Sequence, residues 1–142
     1  MIREDSGQVA LEYLLIFAVS LILLIVFTLP LAETAIEDTF DVSDALTVKS
    51  QLSDISQAVR QVYGEGQGSK QTITIVSSKD LTLNIANTQI STNLKLKDGS
   101  NKNIKDSYKS TLGKSSIPIK KGVNTIIVEW SQGSKNMRIY KK

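Results

Sequence analysis

Tyr13-Leu-Leu-Ile-Phe-Ala-Val-Ser-Leu-Ile-Leu-Leu-Ile-Val-Phe-Thr-Leu-Pro-Leu-Ala32 carries no charged side chain from end to end. A helix of about 20 residues rising about 1.5 Å each covers the roughly 30 Å hydrocarbon core of a bilayer. The stretch is apolar on every side, so it is not an amphipathic surface helix. Burying it inside a soluble protein takes a large surrounding body, and a chain of 142 residues has room for only one modest domain besides. A membrane span is therefore the expectation for residues 13–32.

The residues before the span argue against an ordinary cleaved secretory signal. Arg3 is the only basic side chain in Met1–Gly7, and Glu4 and Asp5 offset it. The apolar run exceeds a typical signal core of about 7–15 residues, and no small-x-small cleavage pattern precedes Glu33. Basic residues flanking the span are Arg3 on one side and none before Lys49 on the other, which orients the chain with its N-terminus inside and its C-terminus outside.

Glu12 stands at the mouth of the apolar run, where a carboxylate either stays hydrated at headgroup level or marks a function. Its surroundings read Ser6-Gly7-Gln8-Val9-Ala10-Leu11-Glu12-Tyr13: a glycine, four residues, a glutamate, then the apolar helix. This resembles a prepilin processing site. Gln8-x-x-x-Glu12-Tyr13-Leu14-Leu15 resembles, more narrowly, the class III signal peptide of archaeal type IV pilins, with Ala10 standing where that motif usually has Ser. The resemblance covers Ser6 to Leu29.

It implies a leader, residues 1–7, removed by a prepilin peptidase between Gly7 and Gln8 on the cytoplasmic side. It also implies a membrane-held precursor that becomes an extracellular filament of many identical subunits. A pilus assembly ATPase and a membrane platform protein are the further partners implied. Once the leader is gone, Gln8 presents a new amino group that can meet Glu12 of the same or a neighbouring chain. In a dry helical bundle such a pair fixes register, with Tyr13 beside it, even where it adds little stability. Two alternatives share these features: a tight-adherence-type pseudopilin, and a single-pass anchored β domain acting as a binding or secretion-machine component.

Beyond the span, Pro30 removes one helical hydrogen bond and predicts a kink. Helical spacing then resumes through Ile36, Phe40, Leu52, Ile55, Val59 and Val62, with Ala45 and Leu46 bridging the middle. The expected helix, residues 8–63, is about 80 Å long at 1.5 Å per residue. Gly64, Gly66 and Gly68 predict a hinge over residues 64–70. Residues 71–142 then change period. Thr72–Val76, Leu81–Ile85, Leu94–Lys97, Val123–Trp130 and Met137–Ile139 alternate as half-buried strands do, and Ser107–Ser116 reads as loop. Asp98-Gly99, Lys121-Gly122 and Gln132-Gly133-Ser134 are the turn signals. The expected class is α+β: a long apolar helix continuing into an amphipathic one, then a small antiparallel sheet or sandwich of five to seven strands, on which Ile55, Val59 and Val62 pack.

Charge divides along the chain. Glu33 to Glu65 holds seven acidic residues against Lys49 and Arg60, a balance of −5. Gly66 to Lys142 holds fourteen basic residues against four acidic, a balance of +10. Lys95 and Lys97, placed on one strand face, with Lys120 and Lys121 nearby, are the candidates for contact with anionic surfaces. The lysines are not interleaved with aromatic residues, and lysines also guard sheet edges, so nucleic acid is not the expected partner.

No His and no Cys occur, which excludes disulfides, thiolate or imidazole metal sites and His- or Cys-based catalysis. Gly113-Lys114-Ser115 lacks the glycine that a phosphate loop requires five residues before its Gly-Lys pair, where Tyr108 stands. Asp98–Asn103 misplaces the glycine of a calcium loop and has no closing acid, so it reads as a hairpin turn. Neither catalytic residues, nor metal, nor cofactor is expected.

Overall fold

A computed structural model gives the backbone of residues 2–142 and the side chains of residues 7–142. The expected leader, residues 1–7, therefore lies outside the described side chains except at Gly7. The protein is α+β: helix α1 (Ile2–Glu65) is followed by two small antiparallel sheets. The chain divides into two compact units, residues 1–40 and 41–142.

In the first unit, α1 is helical throughout its described length, and helical backbone continues through Pro30. Proline has no N–H, so the carbonyl of Val26 loses its usual partner one turn on. Hydroxyls along this part turn inward onto backbone. Ser20 Oγ donates to the Ile16 carbonyl at 2.7 Å, Thr34 Oγ1 to that of Pro30 at 2.9 Å, and Thr39 Oγ1 to that of Ala35 at 2.8 Å. Back-bonding of this kind satisfies a hydroxyl without water.

The second unit holds the C-terminal part of α1 and all the strands found among the described residues. These are β1 (Lys70–Ser77), β2 (Leu81–Ile85), β3 (Gln89–Lys95), β4 (Asn101–Ser107), β5 (Ser115–Ile119), β6 (Gly122–Glu129) and β7 (Arg138–Lys141). One sheet has the order β1-β6-β7 and the other β4-β3-β2-β5. Pro118 lies in β5, an edge strand, where a missing N–H costs no ladder bond on the open side. The tight turn from β5 to β6 carries the chain between sheets. Asn124, 2% exposed, holds this turn by donating to the carbonyls of Lys120 at 2.7 Å and Gly122 at 2.9 Å while accepting from the Lys120 amide. Gly122 adopts φ 104° there, a conformation that side-chain-bearing residues rarely take.

Both sheets and α1 contribute to one hydrophobic core. The helix supplies Ala45, Val48, Leu52, Ile55, Val59 and Val62, the three-stranded sheet Ile75, Ile126 and Val128, and the four-stranded sheet Leu83, Ile90, Leu94, Ile104 and Ile119. Tyr63 and Trp130 stack with centroids 5.9 Å apart and planes 9° apart. Gln51 donates to the Val76 carbonyl, and Arg60 to that of Ser107, which ties the helix to β1 and to the end of β4.

Several expectations need correction. Ile36, Phe40 and Leu46 are exposed, and the buried stripe runs instead through Ala45, Val48, Leu52, Ile55, Val59 and Val62. The compact unit begins at Asp41, so about a quarter of it is helix rather than strand. The helix continues two residues beyond Tyr63. The glycine segment after it is held by hydrogen bonds to the helix end and to Trp130. Gly66 N donates to the Val62 carbonyl at 3.1 Å and Gly68 N to that of Trp130 at 2.6 Å, while Ser69 Oγ reaches the Val62 carbonyl at 3.0 Å. β3 begins five residues before Leu94, β4 lies where no strand was expected, and β5 takes in Ser115 and Ser116.

Candidate assembly surface

The residues expected to direct processing and assembly fall on α1. Gly7, Gln8, Glu12 and Tyr13 are all helical and exposed, Tyr13 to 70%. A Cβ placed on Gly7 would meet nothing within 4 Å. Glu12 has neither a hydrogen bond nor an ion pair among the described residues. The apolar side chains after it are uncovered on every side of the helix: Leu14, Phe17, Leu24 and Phe27 are between 61% and 68% exposed. α1 is long and apolar enough to cross a membrane. In water such a surface is untenable, since each fully exposed large apolar side chain forgoes about 1.5–3 kcal/mol of burial.

Pro30 sits near the far end of this apolar stretch, two residues before Ala32, and its carbonyl takes the Thr34 hydroxyl described above.

The four lysines singled out in the sequence gather at one end of the four-stranded sheet. That end comprises the start of β2, the end of β3 and the end of β5. Lys95 closes β3, but Lys97 lies in the following turn, so the two do not share a strand face. The turn residue's amide donates to both carboxylate oxygens of Asp41, at 3.0 and 3.2 Å. Lys120 and Lys121 occupy the turn between β5 and β6.

Acidic groups neutralise much of this end. Asp80 accepts from the Lys121 amide at 2.8 Å and from Lys120 Nζ at 3.3 Å. Those two hydrogen bonds, the backbone one foremost, hold its carboxyl below the usual carboxylate range. Lys79 Nζ pairs with Asp44 at 2.8 Å, and Asp44 also lies 3.3 Å from the Ser78 hydroxyl. The acidic residues of α1 thus hold the turns after β1 and β3. Sequence reasoning saw the opposite charges of the two segments but not that they meet, because no local spacing signals a contact between residues so far apart in the chain.

No family model, curated protein or solved structure matches this chain.

A grouping that sequence reasoning missed surrounds a cavity of about 270 Å³ between α1 and the edge strand β4. Val42, Ala45, Leu46 and Ile104 form its apolar floor, and Lys49, Lys102 and Lys105 its rim. Leu46 is 64% exposed and Val42 57%. The helical spacing 42, 45, 46, 49 would have located half of this surface. The other half depends on β4, which the sequence pattern does not disclose.

Proposed function

We propose that this chain is a structural subunit, a pilin of the type IV kind, that is held in the membrane as a precursor and assembles into an extracellular filament. The observation that carries the reading is the uncovered apolar circumference of α1 with one unpartnered carboxylate, Glu12, at its mouth. A plain anchor needs the apolar stretch alone. A carboxylate one residue before it is costly in lipid unless hydrated or paired, and a partner's amino group in a helical bundle pairs it.

The precursor sits with its N-terminus inside and residues 41–142 outside. A prepilin peptidase removes Met1–Gly7, and the amino group of Gln8 then meets Glu12 of a neighbouring copy. Lipid already covers the apolar helices, so hydrophobic burial alone does not favour the filament. Close helix packing and the Gln8–Glu12 contact select it. An assembly ATPase and a membrane platform protein supply the work of extraction. The expected role of the filament is surface adhesion, with the lysine-bearing end of the head as the candidate contact.

Glu12→Leu separates this reading from that of a single-pass anchored β domain. The substitution leaves membrane insertion intact and, on the filament reading, reduces the chain recovered in a sheared surface fraction at least about tenfold. Equal recovery of the variant and the parent refutes the register role of Glu12.

A further inference from the structure

We infer that the cavity between α1 and β4 receives the acidic helical segment, residues 33–40, of a second copy of this chain. The inference rests on the filament reading for its second copy, since lateral neighbours are what bring one copy's helix to another's head.

Charge and apolar character both favour this occupant. The floor of the cavity is apolar, made by Val42, Leu46 and Ile104, and three exposed lysines rim it. Among the described residues, none of Lys49, Lys102 and Lys105 forms an ion pair. Elsewhere in the unit Asp44 pairs with Lys79, Asp80 with Lys120, Asp106 with Arg60 and Glu129 with Lys70, so these four carboxylates are engaged away from the cavity. Residues 33–40 read Glu-Thr-Ala-Ile-Glu-Asp-Thr-Phe, with three carboxylates and no basic side chain. Glu33 and Glu37 lie four apart, so they share one helical face, and Ile36 lies beside them, 56% exposed. Glu33, Glu37 and Asp38 are likewise without ion pairs among the described residues. An apolar residue flanked by two carboxylates thus answers an apolar floor flanked by lysines. Individual exposed ion pairs contribute little to stability. Three together, around an apolar contact that excludes water, set orientation and partner choice more than affinity.

The chain has no native cysteine, which makes disulfide trapping clean. Ile36→Cys and Leu46→Cys variants of the full chain are co-expressed, and membranes and sheared filaments are oxidised separately. The expected result is a mixed disulfide dimer at least about tenfold more abundant than one formed by Ile36→Cys with Val123→Cys, a site 72% exposed on β6. Adding Lys102→Glu and Lys105→Glu to the Leu46→Cys chain lowers the yield about tenfold. Adding Glu33→Lys and Glu37→Lys to the Ile36→Cys chain then restores it. A yield no greater than with the Val123→Cys control, or one indifferent to charge reversal, overturns the inference. Filaments of processed chain that lack the 36–46 bond defeat this contact and leave the filament reading standing. Bonded chain confined to membranes, with residues 1–7 intact, does the reverse.

Discussion

Leu52 and Leu46 lie six residues apart on α1, and replacing each by alanine has very unequal consequences. Leu52 is 1% exposed in the core, whereas Leu46 is 64% exposed. Leu52→Ala deletes three buried carbons, about 2.4 kcal/mol at about 0.8 kcal/mol each. The residual cavity raises the cost to about 3–4 kcal/mol, within the span measured for buried leucines. A body of this size has about 5–15 kcal/mol in all, so the loss is a large fraction of it. At about 4 °C per kcal/mol the unfolding midpoint falls by about 12–16 °C. Leu46→Ala removes little buried area and introduces a better helix former, so it changes stability by less than about 0.5 kcal/mol. Trp130 is the only tryptophan and stacks on Tyr63 of α1, so its fluorescence reports helix docking directly in full-length chain held in detergent. Equal destabilisation by the two substitutions would refute the assignment of the buried stripe.

Two further outcomes follow from buried polar groups. Ser56 Oγ is fully buried and has no hydrogen-bond partner, so Ser56→Ala should stabilise the unit by about 1 kcal/mol, read as a raised denaturation midpoint; a lowered midpoint contradicts this. The Tyr108 phenol, 2.8 Å from the Ala86 carbonyl and 3.1 Å from that of Gln89, is pushed up to about 12 by burial. Because the folded value exceeds the ordinary value of 10.0, this contribution is intact below about pH 10 and is lost as pH rises through about 12. Tyr108→Phe should therefore flatten the fall in stability across that window, and an unchanged alkaline profile would contradict it.

What the sequence disclosed depended on how openly each element shows its burial. The long apolar helix was legible because an uncharged run of that length breaks no helical pattern and is long enough to cross a bilayer. β1 and β6 were legible because Ile73 and Ile75, and Ile126 and Val128, recur at every second position. β3 was caught only at its end, because its middle inward residue is Thr92, fully buried with its hydroxyl donating to the Thr82 carbonyl at 2.9 Å. A satisfied buried threonine looks polar in a pattern. β4 was missed because Ile104 is its only apolar residue, as suits an edge strand kept polar against further pairing. The helix face was partly misread: Ile36, Phe40 and Leu46 keep helical spacing yet face outward, and apolar spacing alone does not say which neighbour an apolar face meets. Glu12 and the apolar run were found by local sequence. The lysine-rimmed cavity was not, because it joins a helix to a strand far along the chain.

The most direct test of the filament account is the N-terminal residue of the protein in a sheared, filament-enriched surface fraction, determined by intact-mass and peptide mass spectrometry. The account predicts a chain that begins at Gln8, free or cyclised, and is abundant in that fraction. A chain retaining Met1–Gly7 and recovered only from membranes would contradict it and leave residues 41–142 as an anchored domain.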